Sequence, residues 1–200
     1  EFNINSTYIM GILNITPDSF SDGGSFTTLD SALFQAEKLI QDGADILDIG
    51  GESTRPGYDM ISVQEETDRI LPVIEAIKSR FNIPVSVDTY KGKVAETAIS
   101  AGADMINDIW GLKYDPTMSS VIAKADIPVC IMHNRNNSEY KDLIKDVISD
   151  LKESIDIALS AGISKDNIII DPGIGFAKNY NENLTLINRL EQLHILGYPL

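Results

Sequence analysis

The sequence predicts an α/β fold of the (β/α) TIM-barrel type. Three observations carry that expectation: short apolar runs alternate with helical periodicity, one turn pattern repeats, and polar residues close the apolar runs. Six strand candidates cover residues 8–13, 45–49, 84–87, 104–109, 128–132 and 167–170. Each is short, apolar and rich in Ile or Val, as strands covered on both faces must be. After the first, Leu29, Ala32, Leu33, Ala36, Leu39 and Ile40 recur at helical spacing, and Gly43 supplies a C-terminal stop. The next helix opens on Ser62-Val63-Gln64-Glu65, a capping-box pattern, and Pro72 is expected to kink it.

The repeat strengthens the reading. Asp42-Gly43-Ala44-Asp45-Ile46-Leu47-Asp48 is echoed by Ala101-Gly102-Ala103-Asp104-Met105-Ile106-Asn107, and more loosely where Ala161-Gly162 leads toward Asp171. Each time a helix ends on Gly and the chain enters an apolar strand that finishes on an acid or amide. Repeated βα units imply a parallel sheet, either open and doubly wound or closed into a barrel.

The strand ends choose between the two. Asn14 follows the first strand, Asp48 ends the second and Asp88 the third; Asn107 and Asp108 sit in the fourth, His133 follows the fifth and Asp171 the sixth. An open sheet gathers its ligand groups at one switch point, whereas a barrel mouth draws on every βα loop. The barrel is favoured. A closed eight-stranded barrel typically takes about 250 residues. The chain, read as one domain over residues 1–200, is therefore expected to be cut before its last two strands.

Composition narrows the function. With 43% hydrophobic residues the chain can fill a core, and a net charge of −14 argues against nucleic acid and anionic membrane as partners. The single Cys130 lies inside an apolar run and has no internal disulfide partner, which fits a reducing compartment. No apolar stretch reaches the roughly 20 residues of a membrane span. A cytoplasmic location is expected.

Three loops carry the chemistry. The first, Gly11-Ile12-Leu13-Asn14-Ile15-Thr16-Pro17-Asp18-Ser19-Phe20-Ser21-Asp22-Gly23-Gly24, is rich in oxygen ligands of the kind a hard cation such as Mg²⁺ takes beside a phosphate. Its composition is also that of an ordinary turn. The second, Asp48-Ile49-Gly50-Gly51-Glu52-Ser53-Thr54-Arg55-Pro56-Gly57, offers bare backbone plus a hydroxyl and a guanidinium for an anion. The third, Asp171-Pro172-Gly173-Ile174-Gly175-Phe176-Ala177-Lys178, places an aromatic ring and a cation after Gly-rich backbone.

These loops, with Ser86-Val87-Asp88-Thr89, Asn107-Asp108-Ile109 and Met132-His133 in order between them, resemble the dihydropteroate synthases. The resemblance runs from about Ile9 to Leu200. It implies that a dihydropterin diphosphate is joined to p-aminobenzoate in folate synthesis, and that the protein is a sulfonamide target. Asn14 would ligate Mg²⁺ at the diphosphate. Asp88, Asn107 and Asp171 would line the pterin pocket, with Ile109 and Met132 as apolar walls. Thr54, Arg55 and Pro56 would serve the second substrate, Gly175 and Phe176 its ring, and Phe20 and Asp22 a closing lid; Arg55, Thr54 and Asp22 carry the catalytic roles. A homodimer is implied for the whole protein. Among the matched loops only Arg55 and Lys178 offer positive charge to a diphosphate, because the family's other cations follow its seventh and eighth strands. Two rivals remain, a pterin-binding methyltransferase barrel and a non-catalytic pterin-binding module.

Overall fold

A computed structural model describes residues 6–16, 28–53 and 60–200. All six expected strands form: β1 (Met10–Asn14), β2 (Ile46–Gly50), β3 (Val85–Asp88), β4 (Met105–Asp108), β5 (Val129–Met132) and β6 (Ile168–Asp171). They follow one sheet order, β1-β2-β3-β4-β5-β6, and the β1–β2, β2–β3 and β5–β6 pairings are parallel. Between them run α1 (Thr28–Gln41), α2 (Val63–Arg80), α3 (Gly92–Ser100), α4 (Met118–Ala125) and α5 (Leu143–Ser160), and α6 (Tyr180–Asn188) follows β6. Two compact units divide the chain, Glu1–Ile106 and Asn107–Leu200.

In the first unit, Leu47 and Ile49 of β2 and Val85 and Val87 of β3 are fully buried. Helix α2 covers them with a stripe of Ile70, Val73, Ile74 and Ile77. Its N-cap Ser62 accepts the Glu65 N–H at 3.1 Å, as expected. The Glu65 carboxylate turns instead to Arg69, four residues on, where one turn of helix brings the two together. The helix carries Pro72 inside it and continues to Arg80. In the second unit, Ile131 of β5 and Ile168 of β6 lie under Val147, Leu151 and Ile155 of α5. A complete capping box, Asn179 with Glu182, starts α6.

The repeated sequence is one physical device used twice. Gly43 and Gly102 take φ of 102° and 101°, a conformation that favours glycine, and turn the chain out of α1 and α3. The acid two residues later then grips the start of the neighbouring strand segment. Asp45 gives its N–H to Ile9 O at 2.8 Å while its carboxylate takes the Ile9 N–H at 2.8 Å. Asp104 repeats both bonds with Val85, each at 2.8 Å. Gly162 makes the same turn with φ of 94°, but Ser164 follows it and caps a short 3-10 turn, Lys165–Asn167.

This grip is measurable. Asp104→Ala leaves the Val85 N–H without its side-chain acceptor and is expected to cost about 1–3 kcal/mol. Asp104→Asn keeps an accepting oxygen and loses mainly the exposed Lys78 pair, a change of under about 1 kcal/mol. Urea unfolding of both variants separates the two contributions. Equal losses would show that the charge, not the strand grip, is what matters.

Candidate active site

In the first unit the strand register sets three positions level: Asn14 pairs with Gly50, and Gly50 with Asp88. Gly50 has no side chain, and a Cβ there would lie 3.3 Å from Asn14 Oδ1 and 3.7 Å from Asp88 Oδ2. The bare backbone of β2 thus lets an amide oxygen and a carboxylate oxygen approach it closely from either side. Asp48, expected at the end of β2, lies two residues short of it, because the ladder continues to Gly50. It is 5% exposed and level with Ser86, which is fully buried and whose hydroxyl has no partner among the described residues.

A buried ionic network not anticipated from the sequence gathers around Lys91. Lys91 Nζ pairs with Glu52, lies 2.7 Å from Glu66 Oε2 and donates to Ile61 O at 2.8 Å. Glu52 also accepts from the Tyr90 hydroxyl and from the Ile61 N–H. Desolvation pulls the Lys91 pKa down, but the bonds and charges of the two glutamates outweigh it and hold it above its usual value. The network joins Glu52 to Ile61, the two sides of the loop that carries Thr54, Arg55 and Pro56. Those three residues, and Phe20 and Asp22 of the expected lid, lie outside the described residues.

In the second unit, Asn107 and Asp108 close β4. They are not equivalent. Both Asp108 oxygens are taken by the loop it starts, from Trp110 N–H at 2.8 Å and Leu112 N–H at 2.9 Å, and burial pushes its pKa up to about 6. Asn107 is half-buried, and the expected walls Ile109 and Met132 are buried. Asp171, at the end of β6, accepts the Gly173 N–H at 2.7 Å; burial raises its pKa, against that bond and the Lys178 charge. Gly175 takes φ of 88° and Phe176 is half-buried. A cavity of about 680 Å³ in this unit is lined by Trp110, Tyr114, Asn134, Arg135 and Glu139 among others, and holds none of the expected site residues.

His133 and Lys178 form the second unexpected network. His133 Nε2 lies 3.0 Å from Asp150 Oδ2, and Nδ1 lies 2.9 Å from Lys178 Nζ. An ammonium only donates, so Nδ1 is the acceptor and the ring proton sits on Nε2, toward Asp150. Burial first, then the Lys178 charge, lowers the His133 pKa to about 4, although Asp150 opposes both. Arg135 completes the group by an ion pair with Asp150. Lys178 spends its other two protons on Gly173 O and Phe176 O, each at 2.9 Å. Its expected role as a cation for a diphosphate is therefore corrected: all three N–H bonds point into the protein.

A parallel α/β chain with amides and carboxylates at successive strand ends belongs to the class of (β/α) TIM-barrel enzymes of small molecules. More narrowly, it belongs to the pterin-binding enzyme family, whose model matches residues 10–200. It is 59% identical over 201 residues to the dihydropteroate synthase of Clostridium beijerinckii, covering 100% of this chain and 75% of that protein. The Bacillus subtilis dihydropteroate synthase is 56% identical, covering 96% of this chain and 68% of its own length. Among solved structures, the Clostridium difficile dihydropteroate synthase crystallised with pteroic acid matches with a TM-score of 0.93 and 50% identity, over 96% of this chain and 74% of that one. The Xanthomonas albilineans dihydropteroate synthase with 4-aminobenzoic acid matches with a TM-score of 0.94 and 44% identity, over 98% and 72%.

The His133 network predicts a pH dependence. A folded pKa near 4 against an ordinary 6.5 gives stability that is present above pH 6.5 and lost as pH falls through 4. The 2.5-unit difference corresponds to about 3 kcal/mol. Asp108 runs the other way, because a raised carboxylate pKa favours the folded state at the acid end and loses that as pH rises through about 6. The informative quantity is therefore the difference between the stability curves of wild type and His133→Gln. It should narrow toward acid pH by about 3 kcal/mol; parallel curves would mean His133 is not held neutral by the fold.

Proposed function

We propose that this protein is a dihydropteroate synthase, which joins a dihydropterin diphosphate to p-aminobenzoate and releases diphosphate. The observation that carries the reading is 59% identity along the whole chain to a dihydropteroate synthase. The amine nitrogen of p-aminobenzoate attacks the pterin methylene carbon, the bond from that carbon to the diphosphate oxygen breaks, and the amine proton leaves to solvent. The electron-rich pterin stabilises positive charge on the methylene, so the protein's work is to bind, orient and exclude water.

On this reading Asp88, Asn107 and Asp171 take the pterin edge. Its N–H groups match carboxylate acceptors, and an amide both gives and accepts. Ile109 and Met132 flank the ring. Gly175 and Phe176 meet p-aminobenzoate, joined by Thr54, Arg55 and Pro56, while Phe20 and Asp22 serve the first loop. Asn14 fits a Mg²⁺ ligand, since its amide oxygen is hard and neutral and the residue is exposed at the end of β1. Bound there, Mg²⁺ supplies charge to the departing diphosphate. The reading also carries a homodimer, and a cytoplasmic location with which the buried thiol of Cys130 agrees. No helix among the described residues is long and apolar enough to cross a membrane.

The test is turnover with both substrates, beside calorimetric binding of a plain pterin. Asp171→Asn exchanges an acceptor for a donor facing the pterin N–H groups, a loss of about 1–3 kcal/mol, so pterin affinity should fall roughly tenfold or more. Arg55→Ala should leave plain pterin binding nearly unchanged while turnover drops sharply, because its role is in the complex with both substrates. Wild-type pterin affinity in Asp171→Asn, or normal turnover in Arg55→Ala, would overturn the assignment of that residue.

A further inference from the structure

The turn after β6 is tied at several backbone polar groups. Phe176 N–H reaches Gly173 O at 3.1 Å, Gly175 N–H reaches Asn183 Oδ1 at 2.8 Å, and the Tyr140 hydroxyl reaches Ala177 O at 2.9 Å. Asn183 also donates to Lys178 O at 3.2 Å. Ala177 is held at φ of 48°, a conformation that needs such over-determination. Gly173 has φ of 68°, and a Cβ on it would fall 1.9 Å from His133 O, so the turn packs directly on the chain leaving β5. At its centre sits Lys178 Nζ, bonded to Gly173 O, Phe176 O and His133 Nδ1.

We propose that Lys178 is a positioning residue for the second substrate: its ammonium, collared by Gly173 O, Phe176 O and His133 Nδ1, fixes the turn that presents Phe176. The inference rests on the synthase reading for the identity of that substrate and on the geometry for everything else. Three acceptors converge on one nitrogen, and only a group with three donors satisfies them all. A neutral amine has two protons and a lone pair, so losing the proton sets a lone pair against one acceptor and loosens the turn. Burial brings that loss within reach by lowering the Lys178 pKa to about 8. The charged groups around it are Asp171 on β6, Glu182 on α6, Asp150 on α5 and Arg135 after β5. Asp171, Glu182 and Asp150 favour the ammonium and Arg135 disfavours it, without cancelling the desolvation.

The experiment reads the ring and the reaction separately. In wild-type protein, ¹⁵N resonances of the His133 imidazole are followed from about pH 6 to about pH 10. The KM for p-aminobenzoate is measured over the same range, and pterin binding by calorimetry. The Nδ1 resonance should shift with a midpoint near 8, where Lys178 deprotonates, and the KM should rise with the same midpoint while pterin affinity stays flat. Lys178→Met should raise that KM by roughly tenfold to a hundredfold at every pH, as loss of positioning does, and abolish both titrations. Lys178→Arg cannot aim a planar fork at three such points, so it should raise the KM without an alkaline limb. A His133 resonance that ignores pH through 8 overturns the collar from wild-type protein alone, even if the variants fail to fold. A normal KM in Lys178→Met overturns the positioning role. If wild type turns over neither substrate, the synthase reading and the positioning role fall together, while the ring titration still decides the collar.

Discussion

Everything at the strand ends depends on register, and register is fixed at the opposite ends of the strands. In a parallel sheet every strand is entered from a helix, so the turn between them sets how far the strand slides past its neighbour. Here a glycine near φ of 100° followed by an aspartate does that work twice, with the aspartate holding both the N–H and the C=O of one residue in the adjacent segment. A slip of one residue would reverse which side chains face the core. It would also separate Asn14, Gly50 and Asp88, which lie level only in this pairing. The pairing that sets Asn14 level with Gly50 is thus held by hydrogen bonds a full strand length away from it.

Buried Lys91 and half-buried Lys178 show opposite solutions to the cost of taking charge out of water. Lys91 is surrounded by Glu52 and Glu66, and its pKa is held up, so it stays an ammonium at any ordinary pH. It works as a fixed tie between Glu52 and Ile61. Lys178 has carbonyl oxygens and a neutral imidazole in place of carboxylates, and its pKa falls to about 8. Dipoles satisfy its protons without paying back the lost hydration of its charge. The chemistry of the acceptors, rather than depth alone, decides which lysine titrates.

Much of the fold was legible because its signals are local. Apolar runs, helical spacing and Gly stops located all six strands. Their ends ran slightly long or short, because Asn14, Gly50, Asp88 and Asp171 stay in the ladder and a run of apolar residues does not show that. The places of Asn14, Asp88, Asn107 and Asp171 at the strand ends were legible for the same reason. The two networks were not. Lys91 meets Glu52 and Glu66 across 39 and 25 residues, and Lys178 meets His133 across 45. One signal was present: Glu66 falls in the buried stripe of α2 with Ile70, Val73, Ile74 and Ile77, and an acid on an apolar face requires a cation. Lys178 misled for a different reason. A cation at the tip of a Gly-rich loop is the pattern of an anion site, and only the directions of its three N–H bonds show otherwise.

Those directions also bear on how an acidic chain handles a pterin. The groups assigned to the pterin edge are two carboxylates and an amide, and burial already raises the pKa of Asp171. Desolvation by an arriving ligand raises it further, unless that ligand brings donors of its own. A flat heterocycle with N–H groups along one edge does bring them, so it is bound best when the carboxylate is ionised. The Gly173 N–H and the Lys178 charge hold Asp171 toward that form beforehand. One lysine therefore serves both sides of the turn: its hydrogen bonds shape the backbone that carries Phe176, and its charge keeps Asp171 a better acceptor.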